Sequence, residues 1–272
     1  GRNLHELYRE ACTPWEWQPK LKKLADELGL ILFSTPFDPT AVDFLEKMCV
    51  PAHKIASFEL VDIPLVRRIA RTGKPIIMST GMATLEEIEE SVAAIRAEGN
   101  EQLALLKCTS SYPAPLEDMN LRTIPVLAEH FGVPAGLSDH TLATTVPVAA
   151  VALGACIIEK HFTLSRKTPG PDSAFSLEPG EFKEMIDAIR ACEEALGGVR
   201  FEPTEEELAS RRYRRSLFVV EDIRAGETLT ERNIRSIRPA DGLPPKCLPQ
   251  VLGRKASRDI RRGTPLSWDM LD

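Results

Sequence analysis

Short apolar runs alternate with longer amphipathic segments along most of the chain, beginning at about residue 20. The apolar runs predict strands, which fall at 30–35, 54–57, 75–79, 103–108, 134–138 and 155–160. The amphipathic segments predict helices at 40–49, 62–72, 84–98, 120–131, 144–153 and 178–196. Strands that are apolar along most of their length and alternate with helices indicate a parallel sheet covered by helices.

The carboxyl ends of these strands help to choose between a closed (β/α) barrel and an open doubly wound sheet. Polar or reactive residues stand at or just after each end, namely Ser34 and Thr35, Ser57, Ser79 and Thr80, Lys107 to Thr109, Ser138 to His140, and Glu159 to His161. No Gly-x-Gly-x-x-Gly follows any strand, so a dinucleotide crevice has no support. The pattern therefore predicts a TIM-type (β/α) barrel with its site at that face. Six strand units are visible where a complete barrel has eight.

The pattern changes near residue 198, which divides the chain. Residues 1–198 form the predicted barrel domain, and the charged stretch 199–214 predicts a linker or a bridging helix. Residues 215–272 contain short β-like runs separated by turns that carry Gly or Pro, so they predict a small β-rich domain.

Composition narrows the class of protein. Among 272 residues, 43% are hydrophobic and 27% are charged, as in an ordinary soluble globular protein. The net charge of −6 and the scattered bases argue against nucleic acid as the main partner. No apolar run is long enough to cross a membrane. The six cysteines contain no Cys-x-x-Cys pair, which favours reduced thiols and a cytoplasmic location.

Two histidines, His140 and His161, follow consecutive predicted strands. A parallel sheet would bring their imidazoles to the same edge, where two neutral rings suit a divalent ion such as Mn, Fe, Co or Zn. Each ring could equally be a strand-end histidine satisfied by hydrogen bonds, and the spacing leaves both interpretations open.

Lysines and hydroxyls near the strands indicate an anion site. The lysines are Lys54, Lys74, Lys107 and Lys160, and the hydroxyls are those of Thr35, Ser57, Ser79, Ser110 and Ser138. Such a set favours anion binding over a single Schiff-base lysine. Lys74 and Lys107 could instead extend into solvent, and each hydroxyl alone could be a turn residue. Glu59 and Glu159 are candidates for proton transfer or for orienting a ligand.

Seven ordered motifs resemble those of the sialic acid synthase family. They are STPFD (34–38), KIASFE (54–59), KPIIMSTGMATLEEI (74–88), KCTSSYPAPLEDMNL (107–121), GLSDHT (136–141), ALGACIIEKHFTLSR (152–166) and GPDSAFSLEP (170–179). The segment 215–239 resembles the antifreeze-like (SAF) domain that ends such synthases. Within the family, TPWEW (13–17), SFE (57–59) and GLSDHT are closest to pseudaminic acid synthases.

The resemblance implies condensation of phosphoenolpyruvate (PEP) with an open-chain amino sugar, which gives a nine-carbon sugar acid and phosphate. For a pseudaminic acid synthase the sugar is 2,4-diacetamido-2,4,6-trideoxy-altrose. The resemblance makes His140 and His161 catalytic metal ligands, for Mn²⁺ first and Mg²⁺ or Co²⁺ as alternatives. It assigns PEP binding to Thr35, Lys54, Ser57, Ser79, Ser110 and Ser138, a catalytic acid to Glu59, and sugar binding to Tyr112, Glu159, Asp172 and Arg238. It also implies a domain-swapped homodimer, in which Arg238 reaches the partner's site.

The beginning of the chain departs from the family pattern. Nothing matches the family's opening Glu-Ile-Gly-Asn-Asn-His type strand or its second strand with a Lys-Phe-Gln type ending. We therefore expect a barrel that lacks its first two βα units, an open edge, and little synthase activity from these 272 residues alone. Two alternatives stay open: an N-acetylneuraminate or legionaminate synthase, and a non-catalytic anion- or sugar-binding fragment.

Overall fold

A computed structural model of the chain describes residues 12–168 and 170–272, together with Asn3, Glu6 and Arg9. It divides into two compact units, Gly1–Gly197 and Gly198–Asp272. The strands of the first unit are β1 (His53–Ile55), β2 (Ile76–Ser79), β3 (Leu103–Cys108), β4 (Ala135–Asp139) and β5 (Ile158–Lys160). Its helices are α1 (Gln18–Glu27), α2 (Pro39–Lys47), α3 (Ile63–Ala70), α4 (Leu85–Ala97), α5 (Thr123–Phe131), α6 (Thr145–Ala152) and α7 (Pro179–Leu196).

The five strands of the first unit form one parallel sheet in the order β1-β2-β3-β4-β5. Each βα unit therefore adds its strand beside the one before it, without the reversal of order that an open doubly wound sheet shows at its switch point. This order is that of a (β/α) barrel, and the sheet is a curled five-stranded part of one. The barrel-type fold predicted from the sequence is confirmed.

The predicted strand at 30–35 is wrong as a strand. Only Ser34 pairs, in an isolated parallel bridge to His53. Leu30 and Ile31 are 61% and 77% exposed in the described structure, so neither has the buried face on which a central strand depends. The run meets β1 at one residue, which is too little to form a ladder.

Helix ends follow from local chemistry. Thr84 begins α4 with a capping box, in which its hydroxyl accepts from the Glu87 amide and its own amide donates to the Glu87 carboxylate. Asp38 caps α2 by accepting from the amides of Thr40 and Ala41. These caps fix the residues at which α2 and α4 begin.

The core of the first unit lies between the sheet and its helices. Its fully buried side chains come from strands and helices alike and include Ile55, Ile69, Met78, Ile95, Leu105, Ile124 and Leu137. A smaller cluster packs α6 against α7 through Met185 and Ile189. The sheet is therefore held from behind by helices, while its carboxyl edge carries polar residues. Within the described ranges, no helix combines the length and the apolar character that a membrane span requires.

The second unit is a small β-rich domain. It contains α8 (Glu205–Ser210), the antiparallel pair β6 (Ser216–Val219) and β7 (Ile234–Ile237), and α9 (Leu248–Val251). Isolated bridges such as Ile223 to Ile260 and Ala256 to Leu271 join its loops. Its core is separate and includes Leu217, Val219, Leu229 and Leu266.

Candidate functional site

The ends of β4 and β5 bring the two predicted histidines together. The strands pair in register, with Ser138 opposite Glu159 and Asp139 opposite Lys160. His140 and His161 directly follow the two strands, and their ring centroids lie 5.2 Å apart. Residues 138–140 and 159–161 line a cavity of about 200 Å³. The parallel register thus produces the imidazole pair that the sequence left as one of two interpretations.

Hydrogen bonding fixes the tautomer of His140. Its Nδ1 lies 2.9 Å from the carbonyl oxygen of Thr109, which can only accept, so Nδ1 carries the proton. Nδ1 of His161 lies 3.6 Å from the Asp172 carboxylate, which favours a proton on the same nitrogen. A neutral ring with its proton on Nδ1 has its lone pair on Nε2, which is the arrangement in which metal-ligating histidines are held.

This donor set fits a divalent ion that takes its remaining ligands from substrate or water. In the part of the chain that the structure describes, no group of three or more His, Cys, Asp or Glu residues could by itself hold a metal ion. The pair His140 and His161 would therefore bind an ion with open positions, as catalytic rather than structural sites do.

Two aromatic side chains form the wall around the imidazoles. Tyr112 lies over His140 with 4.3 Å between ring centroids, and Phe175 meets both Tyr112 and His161, at 5.1 Å and 4.9 Å. Phe175 is buried and belongs to the segment between β5 and α7. Sequence reasoning missed Phe175, because an aromatic residue in a loop carries no signal of what it packs against.

A second cluster crosses four strands beside the histidines. The Lys54 ammonium donates to Ser79 Oγ at 2.7 Å and to the Ile55 carbonyl at 2.9 Å, and lies 3.7 Å from the Glu159 carboxylate. The other oxygen of that carboxylate accepts from Ser138 Oγ at 2.7 Å. Lys54, Ser79 and Ser138 are all buried. The structure therefore gathers a buried cation and two hydroxyls into one network, as the anion hypothesis requires.

Ser57, Ser110 and Gly81 form the neighbouring part of this surface. The Gly81 amide donates to Ser57 Oγ at 3.0 Å, and a Cβ on Gly81 would overlap Ser110 Oγ and lie 2.8 Å from Ser57 Oγ. Cys108, at the end of β3, lies 3.7 Å from Ser110 Oγ and contacts His140. Sequence reasoning named Cys108 only as a strand-end residue and missed that it joins the hydroxyl cluster to the imidazole pair.

Burial shifts the pKa values of several charged groups in the site. Burial lowers the pKa of Lys54, against the opposing effect of Glu159, and it lowers the pKa of His161 against that of Asp172. Burial raises the pKa of Glu59, whose Oε2 is buried and has no hydrogen-bond partner among the residues that the structure describes. A carboxyl group with an unpaired buried oxygen, near the Lys54 charge, has the features of a group that exchanges a proton with a ligand.

The remaining predicted residues lie around or apart from this network. Thr35 is half-buried and follows the bridge residue Ser34. Asp172 belongs to the segment between β5 and α7, which Arg166 fastens by a paired contact with Glu181 and by a hydrogen bond to the Ser176 carbonyl. Arg238 is exposed and lies in the second unit, so its role at the sugar stays a prediction.

Comparisons with known proteins agree with this geometry. Residues 1–200 match the model of the NeuB family, and residues 214–272 match that of the SAF domain. The chain is 46% identical to the pseudaminic acid synthase of Helicobacter pylori, over 99% of this chain and 80% of that protein. It is 37% identical to the N,N'-diacetyllegionaminic acid synthase of Legionella pneumophila, over 93% of this chain and 72% of that protein.

A solved structure shares the architecture. The crystal structure of the spore coat polysaccharide biosynthesis protein spsE from Bacillus subtilis superposes with a TM-score of 0.65 at 36% identity, covering 100% of this chain and 81% of that one. Sequence and structure therefore agree on an enzyme of the sialic acid synthase type, and the chain belongs to the NeuB family, with a carboxyl-terminal SAF domain.

Proposed function

We propose that the protein condenses phosphoenolpyruvate with open-chain 2,4-diacetamido-2,4,6-trideoxy-altrose to give pseudaminate and phosphate. One observation carries the proposal: a buried lysine with serine hydroxyls lies directly beside a pair of imidazoles at the carboxyl edge of the sheet. The lysine with its serine hydroxyls suits an anion, and the pair of imidazoles suits a metal ion that faces a carbonyl oxygen. The identity of 46% to a pseudaminic acid synthase supports this choice of sugar.

The lysine cluster would hold PEP. Lys54 supplies a buried positive charge, while Ser57, Ser79, Ser110 and Ser138, with Thr35 at the edge, supply hydroxyl donors for phosphate and carboxylate oxygens. Glu159 now accepts from Ser138 and lies near Lys54. An arriving anion would compete with this carboxylate, which then becomes free to accept hydroxyl hydrogen bonds from the sugar.

The imidazole pair would hold a divalent ion, for which Mn²⁺ is our first candidate and Mg²⁺ or Co²⁺ are alternatives. When bound, such an ion polarises a carbonyl as a Lewis acid. Thr109 holds the His140 ring by a hydrogen bond, Asp172 lies 3.6 Å from the His161 ring, and Tyr112 and Phe175 pack against the two rings. The sugar would therefore lie along Tyr112, Glu159 and Asp172, with its aldehyde toward the histidines and with Arg238 as a further contact.

Glu59 would handle a proton in the condensation. The C2–C3 double bond of PEP supplies the electron pair for the new bond from C3 to the aldehyde carbon, and the aldehyde oxygen becomes a hydroxyl. Water adds its oxygen to C2, the C2–O bond to phosphate breaks to leave a ketone, and the two protons of the water go to the new hydroxyl and to phosphate. The raised pKa and the unpaired oxygen of Glu59 suit it to give or take a proton in these steps.

We also propose that the protein forms a homodimer. This proposal is supported by the resemblance to the sialic acid synthase family alone.

A second candidate function is legionaminate synthesis. The identity of 37% to a diacetyllegionaminic acid synthase supports it, but less strongly than the identity of 46% supports pseudaminate synthesis. An assay of phosphate release distinguishes pseudaminate synthesis from legionaminate synthesis. It uses the full-length protein with PEP, Mn²⁺ and each candidate sugar in turn. We expect the highest kcat/KM with the altrose derivative. A higher value with the legionaminate precursor or with N-acetylmannosamine would replace the proposed sugar. Binding of PEP without turnover of any sugar would favour a non-catalytic protein.

Replacing Gly81 with alanine should raise the KM for PEP. The new Cβ would overlap Ser110 Oγ and crowd Ser57 Oγ, so both hydroxyls must rotate away from the anion. Loss of two such hydrogen bonds, at about 1 kcal/mol each, corresponds to roughly a 30-fold increase in KM. Steady-state kinetics with varied PEP measure the change.

Gly180 in α7 provides the matched control, because in the described part of the chain a Cβ there meets no atom within 4 Å. Gly180→Ala should leave the KM for PEP unchanged. If Gly81→Ala kept the KM of the unmodified protein while remaining folded, the two serines would not bind PEP.

A further inference from the structure

A buried ion pair directly precedes the two histidines on β4 and β5. Lys160 Nζ lies 2.6 Å from Asp139 Oδ2, and the two side chains are 1% and 0% exposed. Asp139 and Lys160 are opposite one another in the β4–β5 register, so the pair joins neighbouring strands one residue before His140 and His161. Neither residue has a role in the proposed PEP or sugar contacts.

The hydrogen bonds of this pair enclose His140. Asp139 Oδ1 accepts from the Thr141 amide at 2.8 Å, and Asp139 Oδ2 accepts from the Thr141 hydroxyl at 3.2 Å. Lys160 also donates to the Thr141 carbonyl. One ammonium group therefore holds the residues on both sides of His140, and the lysine that carries it precedes His161.

A gain in folding stability does not by itself explain why Asp139 and Lys160 form a buried ion pair. Two charges lose their hydration when they are buried, and replacing both by neutral groups of similar size often leaves stability unchanged. What neutral packing cannot reproduce is the fixed geometry of Lys160 with its two acceptors, Asp139 and Thr141. The pair is therefore better suited to setting the position of its neighbours than to adding stability.

We infer that Asp139 and Lys160 are positioning residues that set the separation and direction of the His140 and His161 rings for a shared divalent cation. The inference rests on the proposed function, because it takes the two rings as the ligands of that ion. The pair supports the rings from the backbone, in addition to the direct hydrogen bond from His140 to Thr109 and the contact of His161 with Asp172. Partners of this kind change metal affinity by roughly 10- to 100-fold when they are removed.

The test measures Mn²⁺ affinity in the full-length protein without substrates, by electron paramagnetic resonance of the free ion, together with Tm. The variants are Lys160→Met, Asp139→Asn and the double variant; the amide oxygen that Asp139→Asn introduces can still accept from the Thr141 amide. We expect each single variant to lose several degrees of Tm and roughly 10- to 100-fold in Mn²⁺ affinity. In the double variant, Tm should return toward that of the unmodified protein while Mn²⁺ affinity stays low.

A merely structural pair gives a different result, because affinity would then recover together with Tm in the double variant. That recovery, or a single variant with unchanged Mn²⁺ affinity, would overturn the inference. If either single variant does not fold, the double variant alone decides. Lys74→Met is the matched control, since Lys74 pairs with Glu46 at 2.8 Å just before β2 and its loss should leave Mn²⁺ affinity unchanged.

One reference variant separates this inference from the proposed function. His161→Ala must abolish tight Mn²⁺ binding if the histidines are the ligands. If the unmodified protein and His161→Ala bind Mn²⁺ equally, the proposed metal site is wrong and the inference falls with it. If His161→Ala loses its affinity for Mn²⁺ while Lys160→Met keeps it, only the positioning role of Lys160 and Asp139 is wrong.

Discussion

Replacing His161 with alanine should lower kcat of the full-length protein by about a thousandfold and leave the fold intact. The imidazole lies 5.2 Å from that of His140 and is only partly buried, so its removal leaves a small space rather than a hole in the core. The change removes one of two protein ligands of the ion that we propose polarises the aldehyde, an effect of several kcal/mol. About 4 kcal/mol corresponds to roughly a thousandfold in rate. Phosphate release with saturating PEP and sugar measures it.

His130 provides the control for this prediction. It pairs with Glu89 on the surface of the protein, away from the carboxyl edge of the sheet. His130→Ala should keep kcat within about twofold of the unmodified protein, because a surface substitution usually changes stability by no more than about 0.5 kcal/mol and this one removes no group of the proposed site. Full activity in His161→Ala, together with undiminished metal affinity, would show that the ligand assignment is wrong.

Replacing Lys54 with methionine should weaken PEP binding by roughly a hundredfold. Methionine fills a similar volume, but it removes the buried positive charge that now faces Ser79 and Glu159. A hydrogen bond between charged groups contributes up to about 3 kcal/mol, which is somewhat more than a factor of one hundred in affinity. Isothermal titration of PEP without sugar measures the loss directly, apart from any effect on the later chemistry.

Lys74→Met again provides a matched control, because Lys74 is a half-buried lysine that lies just before β2, at the amino edge of the same sheet. We expect it to bind PEP as the unmodified protein does. An unchanged PEP affinity in Lys54→Met would place the anion elsewhere, and the cluster of serines around Lys54 would need another explanation.

The fold could be predicted from sequence because its signals are local. The strands β2 and β3 are apolar along most of their length, and the helices α2 and α4 begin after Asp38 and Thr84, whose side chains cap them. The run 30–35 has the same apolar character, yet only Ser34 pairs. Whether an apolar run becomes a strand depends on the neighbours that it meets, and composition does not contain that information.

The histidine pair shows what the sequence could and could not decide. Its spacing after two strands predicted that the rings share one edge, and resemblance to the sialic acid synthase family favoured a metal site over two separate rings. The ring tautomer depends on the Thr109 carbonyl, which belongs to a different loop. Such a contact is set by tertiary packing, so no motif around His140 could reveal it.

Other parts of the site were missed for the same reason. Cys108 reads as an ordinary strand-end residue until β3 is placed between β2 and β4, where it meets Ser110 and His140. Asp139 and Lys160 read as two charges beside two histidines, and only the β4–β5 register makes them a buried pair. Pairing register is thus the information that turns these motifs into a site.

The product formed from PEP labelled with ¹³C at carbon 3 tests the central claim most directly. Full-length protein, Mn²⁺ and the altrose derivative should convert the label into the methylene group of a nine-carbon acid, with one phosphate released for each sugar consumed. Omission of the sugar should stop phosphate release. Label that remains in PEP, or that appears only in pyruvate, would contradict condensation at this site.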